Sequence, residues 1–365
     1  MSVLSTKGAT TTAGGRGWQV HPSAAATPLL ALALLAATVA LAEFGARAAF
    51  VRERLAAPSV GSPSRPLELQ LAELQALAQK EGGMDCLFLG NSLVLFGLDP
   101  EAFATAYESA SGQHIRCFNF AVPGVTVSGI VALARILAED YHPRLIIYGV
   151  SARDFTGGVE APAILETPWF RYRQGNFNID GWLADHSYAY RYYLLYSHGM
   201  VTIEPALAHF KTKARRGFYP FTMTTMFDAA AVRRARAIAA ATFGNAINPQ
   251  QLEAFNSLLS LPATDLQLAL VEMPWHLAAS EWTPDTATHY HQLMDDVAQR
   301  AQRSGAPYWE TMSSPFVPDD GWVDLWHLNA RGADVVSRWL GERVAHAVNS
   351  GALHLPHDTR PRPTP

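Results

Sequence analysis

Residues 86–92 read CLFLGNS. An apolar run this short, closed by a glycine, has the length and abrupt end of a buried β-strand. Gly82 and Gly83 break the chain just before it. The strand therefore delivers Asn91 and Ser92 to whatever lies beyond its carboxyl end. The pattern recurs at residues 115–120 (IRCFNF), 145–150 (LIIYGV), 266–272 (LQLALVE) and 307–311 (PYWET). Helical stretches lie at 127–138, 286–303 and 330–348, the last with Asn329 as N-cap. Strands alternating with helices predict an α/β fold, a parallel sheet covered by helices on both faces. Ligands of such sheets bind beyond the carboxyl ends of the strands, where Ser92 stands.

The 365 residues suffice for one large core with additional segments. Hydrophobic residues make up 49% and charged residues 16%, a globular composition. A net charge of -4 without a Lys/Arg stripe argues against nucleic acid as a partner. His289 and His291, beside Asp295 and Asp296, read as the polar face of a helix rather than a metal site, and no cofactor is expected. Cys86 and Cys117 fall in neighbouring strands and read as buried thiols; a disulfide stays open in an oxidising compartment.

Residues 1–23 are rich in Ser, Thr, Gly and Ala and are expected to be flexible. Residues 24–42 (AAATPLLALALLAATVALA) carry no charge and approach the ~20 residues that span a bilayer. A transmembrane anchor or uncleaved signal over 24–45 is the first expectation. A cleaved signal peptide, with Ala40-Leu41-Ala42 as its small-residue site, and a buried soluble helix are the alternatives. Basic residues flank both ends, so the positive-inside rule does not decide orientation. Residues 46–83 read as a linker (60–66, VGSPSRP) and a surface helix (67–80). The α/β domain spans 84–349, and 350–365 form a flexible tail. Residues 155–263 interrupt the alternation with helix formers and aromatics, such as Trp169-Phe170-Arg171-Tyr172-Arg173 and 188–196 (YAYRYYLLY). This insertion reads either as a cover over the strand ends that shapes a cleft, or as a helical subdomain with core aromatics.

Near the other end stands Asp324-Leu325-Trp326-His327, just before the last helix. An aspartate three residues before a histidine reaches its Nδ1 within one turn and fixes its tautomer. The other ring nitrogen is then free to take a proton from a serine. Ser92, His327 and Asp324 are the candidate catalytic set; each is ordinary alone, and their order along an α/β chain makes the case. Other candidates are His276, which follows Trp275 after the fourth strand, and Arg153, after the third. Arg153, Arg171 and Arg173 are candidate contacts for an anionic polymer, or simply solvated charges.

These stretches resemble the SGNH (GDSL-type) hydrolase superfamily over about residues 84–349, with the insertion unmatched. Phe88-Leu89-Gly90-Asn91-Ser92 looks like its first block, with Ser92 as nucleophile. Asn119-Phe120-Ala121-Val122-Pro123-Gly124 looks like its second, with Gly124 as an oxyanion N–H donor. Asp324-Leu325-Trp326-His327 looks like its last, with His327 as base. The resemblance implies a three-layer αβα sandwich, a five-stranded sheet in flavodoxin-like order, and an oxyanion hole from Ser92, Gly124 and the third block. Two positions depart from the family. Asn91 replaces the usual aspartate, and Ser151, in Gly149-Val150-Ser151-Ala152-Arg153-Asp154, falls where an oxyanion asparagine is expected. Asn91, Asn119, Arg153 and His276 are the candidate substrate contacts, and Asn119 a substitute donor.

With the apolar N-terminal run, the chain is similar to membrane-anchored envelope proteins of polysaccharide O-acetylation and D-alanyl transfer. That implies a single-pass bacterial inner-membrane protein with its bulk in the periplasm. It also implies an acylated carbohydrate polymer or small ester as substrate and other polysaccharide-modification proteins as partners. The rival expectations are a catalytically inactive glycan- or partner-binding member of the same fold, and a cytosolic α/β enzyme of other chemistry. The chain should fractionate with membranes, and protease added to intact spheroplasts should cleave its bulk; a protected bulk contradicts the outward-facing reading.

Overall fold

The computed structural model describes residues 22–48, 50–51, 58–156, 164–197, 215–223, 229–243, 247–262, 265–276, 284–311 and 316–355. Nearly all of the segment expected to be flexible (1–23), the end of the expected tail and parts of the insertion lie outside these residues. The chain forms two compact units, Met1–Arg54 and Leu55–Pro365. The first contains the helix Pro22–Arg47. Its stretch Thr27–Arg47 has a mean hydropathy of 2.1 and is long and apolar enough to cross a membrane or to serve as a signal sequence.

The second unit is built on five parallel strands: β1 (Cys86–Gly90), β2 (Cys117–Ala121), β3 (Leu145–Val150), β4 (Gln267–Glu272) and β5 (Tyr308–Trp309). Their order is β2-β1-β3-β4-β5, the flavodoxin-like order. Alternate side chains enter opposite layers, as the two-residue period of a strand requires. Leu87, Leu89, Phe118, Phe120, Ile146 and Tyr148 pack into one core, with Val127–Tyr141, Pro249–Leu259 and Pro284–Ser304 among its helices. Cys86, Phe88, Cys117, Ile147 and Val271 pack into the other, beneath Pro100–Ser111 and Ala330–Asn349. Cys86 and Cys117 are register partners on neighbouring strands, both buried and both free thiols.

At the amino edge, Asp85 ties three strand starts together. It accepts from Arg116 (2.8 Å), which precedes β2, and lies 3.3 Å from Arg144, which precedes β3. Burial pushes its carboxyl up, but the two guanidiniums and the Arg116 N–H outweigh this and hold it below the ordinary range.

Two segments expected to be loose are docked. Glu68, in the helix Arg65–Glu81, accepts from the hydroxyl of Ser59 and the N–H groups of Val60 and Ser62, drawing the expected linker onto the domain. Leu353 and Leu355 are buried, so the folded unit continues past 350. Among its described residues, the aromatic part of the insertion packs into one of the two core layers. Trp169 and Phe170 join the core layer of Val127–Tyr141, and Arg173 closes on Glu139, Asp140 and Asp185. Arg173 is thereby committed to structure. Residues 215–218 run along β2: the Asn119 N–H donates to the Arg216 carbonyl, and Arg216 Nε donates to the Cys117 carbonyl. This covers an otherwise open sheet edge.

At the carboxyl edge, β1 ends on Gly90, whose register partner is Gly149, the last residue but one of β3. A Cβ on Gly149 would stand 2.2 Å from Val94 Cγ2 and 2.9 Å from Met273 Sδ. The missing side chains make the space in which the helix Ser92–Gly97 settles onto the sheet. Gly149→Ala should cost about 1–3 kcal/mol by overpacking, read by chemical denaturation; an unchanged stability would show that Val94 is free to move.

Candidate active site

Ser92 opens its helix directly after β1. Asn91 caps that helix, its Oδ1 accepting from the Leu93 N–H at 2.8 Å. The other end is held by Asn119, whose amide donates to the carbonyls of Val94 (2.7 Å) and Leu98 (2.8 Å). Two asparagines, one just after β1 and one in β2, thus fix the serine-bearing turn. Asn119 is fully buried and both its donors are used, so it is neither a substrate contact nor a substitute oxyanion donor.

His327 and Asp324 lie in a loop clamped along its length. Trp322 bridges to Leu328, the Val323 N–H donates to the His327 carbonyl, and the His276 N–H donates to the Leu325 carbonyl. Asp324 Oδ1 accepts from the N–H groups of Trp326 (2.9 Å) and His327 (2.7 Å). Its Oδ2 lies 2.8 Å from His327 Nδ1, and His327 Nε2 lies 2.9 Å from Ser92 Oγ. A carboxylate takes only donors, so Nδ1 carries the proton and Nε2 faces the serine hydroxyl with its lone pair. Burial raises the Asp324 carboxyl, but the His327 ring and the two backbone N–H groups prevail and hold it below the ordinary range. Phe96 packs edge-on against the imidazole at 5.6 Å. It is backed by Phe221, whose carbonyl accepts from the Ala330 N–H.

Ser92 and His327 line a cavity of about 200 Å³, with Trp275, Trp326, Ile238 and Arg153 among its other walls. Trp275 and Trp326 meet edge to face at 5.9 Å. A larger hollow of about 800 Å³ lies at the opposite edge of the sheet, lined by Glu81, Asp85, Arg116 and Arg216, which are paired with one another. The two tryptophan walls and Ile238 were not singled out in the sequence. Their only signal was position: Trp275 follows β4, and Trp326 precedes His327.

Ser151 does not take the part of the expected asparagine. It is buried, its Oγ accepts from Asn91 Nδ2 (3.0 Å), and its hydroxyl proton has Asp154 Oδ1 as acceptor (3.4 Å). The residue caps the 3-10 turn Ala152–Phe155 in a reciprocal box with Asp154. A single hydroxyl proton turned to Asp154 is not available to an oxyanion. The side chain of Asn91, likewise spent on Leu93, Ser151 and Asp154, is a wall of the cavity rather than a free contact. Gly124, in the turn after β2 with φ 76, is not among the described residues lining the cavity. His276 packs edge-on against Trp322 and also stands outside that lining. Burial lowers its pKa, with Asp319 opposing. Among the described residues, no group of three or more His, Cys, Asp or Glu could hold a metal.

Asp154 is the residue that sequence reading passed over. Its carboxylate accepts from Asn91 Nδ2 (2.6 Å), Tyr148 Oη (2.6 Å), the Ser151 N–H (3.0 Å) and the Ser151 hydroxyl. Through Asn91 it supports the cap of the serine helix. Burial raises its pKa to about 6, with Tyr148, the Ser151 N–H, Asn91 and Arg153 pulling the other way.

No family model matches this chain, and no curated protein matches it. Among solved structures it is similar to a gut microbial diltiazem-metabolizing enzyme at 11% identity and a TM-score of 0.35, covering 72% of this chain and 47% of that one. It is also similar to an extracellular lipase from Streptomyces rimosus at 13% identity and a TM-score of 0.31, covering 72% of this chain and 99% of the lipase. The chain spans about half the length of the first.

A carboxyl whose folded pKa is raised contributes stability that is fully present below its unfolded value of 3.8 and is lost as pH rises through about 6. Carbon-detected NMR of Asp154 should give a midpoint near 6, and Asp154→Asn should flatten this part of the stability–pH profile. Near neutral pH the same variant should lose about 1–3 kcal/mol, because one amide oxygen cannot serve all four donors.

Proposed function

We propose that this protein is an extracytoplasmic serine esterase or O-acyltransferase that acts on acyl esters of a cell-envelope or exported polysaccharide. The observation that carries the reading is the unbroken chain from Asp324 Oδ2 through His327 to Ser92 Oγ, at 2.8 Å and 2.9 Å, opening into a cavity at the strand ends. As Ser92 Oγ attacks an ester carbonyl, His327 Nε2 takes the hydroxyl proton, and Asp324 stabilises the imidazolium. The tetrahedral oxyanion is received by the Ser92 N–H. Collapse expels the alcohol, which takes the proton from His327, and leaves an acyl-serine. Water or a sugar hydroxyl then attacks the acyl-serine, His327 again carrying the proton, and Ser92 is restored.

The cavity, about 200 Å³, is smaller than the ~300 Å³ at which pockets for drug-sized ligands begin, which favours a short acyl group. The apolar helix Thr27–Arg47 supports export or membrane attachment; we take it as a single-pass anchor, with the bulk in the bacterial periplasm and other polysaccharide-modification proteins as partners. A second reading, a non-catalytic glycan- or partner-binding protein of the same fold, is favoured by one observation: Ser151 is turned inward, so the site lacks the side-chain donor that would complete an oxyanion hole. One such donor is worth about 10²–10³ in rate.

A fluorophosphonate probe should label Ser92, and labelling should vanish in Ser92→Ala. Hydrolysis of a small chromogenic acetyl ester should fall by about 10²-fold or more in His327→Ala. The melting temperature of Ser92→Ala should stay near that of the parent, since a half-buried serine at a helix start carries little packing. A folded protein that takes no probe and cleaves no ester supports the binding reading.

A further inference from the structure

Arg153 is a charge that the acyl-transfer chemistry leaves unused. It projects from the turn after β3, and the residues on either side of it, Ala152 and Asp154, are buried, which fixes the backbone it leaves from. Its side chain lines the cavity that holds Ser92 and His327. Arg116, Arg173 and Arg216 each close on carboxylates. Arg153 makes no side-chain hydrogen bond or ion pair with any described residue. Its electrostatic partner is Asp154, on which it acts without contact. The Asp154 oxygens already accept from Asn91, Tyr148 and Ser151. The guanidinium is therefore exposed to whatever enters the cavity. The cavity sets Trp275, Trp326 and Ile238 beside the polar groups of Ser92 and His327, and among its described lining residues Arg153 alone carries a fixed positive charge. The planar fork of arginine takes both oxygens of an oxyacid at once.

We infer that Arg153 selects substrates that carry an anionic oxyacid group, a carboxylate or a phosphate, close to the ester, and holds that group while Ser92 meets the carbonyl. The inference rests on the proposed esterase or acyltransferase reading for the position of the ester, and on Arg153 alone for the anion. Arg153 is thus a specificity residue. Esters without an anionic group beside the carbonyl are disfavoured.

Binding and turnover test it separately. Trp275 and Trp326 report binding through their fluorescence. Titration of the full chain with glucuronate, glucose 6-phosphate and glucose should show at least one of the two anions binding about tenfold or more tightly than glucose, a gap of about 1.4 kcal/mol. Which anion binds better distinguishes the carboxylate from the phosphate. The gap should close in Arg153→Gln, persist in reduced form in Arg153→Lys, and narrow with added salt. In turnover, kcat/KM for 3-carboxy-4-nitrophenyl acetate relative to 4-nitrophenyl acetate should exceed one in the parent and collapse in Arg153→Gln. Both variants alter an exposed side chain and should melt with the parent. Equal binding of all three sugars, no saturable response to either anion, or a gap that survives Arg153→Gln overturns the inference. Anion binding that depends on Arg153 without any ester turnover leaves the inference standing and defeats the esterase reading. Turnover without discrimination does the reverse.

Discussion

The carboxylate of Asp154 is buried, so its lone pairs must be met by protein donors. Three partners meet them: Tyr148 in β3, Ser151 at the end of β3, and Asn91 at the end of β1. The last bond matters most. With Nδ2 held by Asp154 and Ser151, the oxygen of Asn91 can point only at the Leu93 N–H, and that contact starts the helix carrying Ser92. A buried acid in one loop thus determines where a serine in another loop stands. Each of these groups would cost about 1–3 kcal/mol if left unpaired, so the arrangement is held as a set.

The other aspartate works by the same physics on a different partner. Asp324 spends one oxygen on two backbone N–H groups and the other on the imidazole. Loop shape and ring orientation are therefore locked together. Ser92 and His327 are 235 residues apart in the chain and meet at 2.9 Å. The parallel sheet makes this routine, because every strand delivers its following loop to the same edge. The paired glycines Gly90 and Gly149, near the ends of β1 and β3, add the clearance that lets the serine helix sit close enough.

The insertion divides its labour. Its aromatic helices extend the core of one layer, and Arg173 secures them to Val127–Tyr141. Its segment 215–223 reaches the site from the side: it covers the β2 edge, then places Phe221 behind Phe96 and the imidazole. From the helix Ala229–Phe243, Ile238 supplies a cavity wall. Of the two readings that the insertion's composition allows, a cover and a helical subdomain with core aromatics, its described residues show elements of both: bracing from the aromatics and a cavity wall from Ile238.

The sequence by itself determined the strands, the layered α/β class, the apolar N-terminal helix, and the nomination of Ser92, Asp324 and His327. These are legible because apolar periodicity and turn residues act over a few positions, and because a loop following a parallel strand has only one edge to go to. What only the tertiary structure decided is the fate of the polar side chains around them. Asn119 and Ser151 were read as donors to substrate and are bound to the protein's own groups. Asp154, unremarked in the sequence, supports the serine turn, while Arg153 beside it is left facing the cavity. A polar side chain is committed by whichever partner burial brings within about 3 Å. For these residues that partner, or its absence, depends on how neighbouring strands and loops pack, which no local pattern in the chain records.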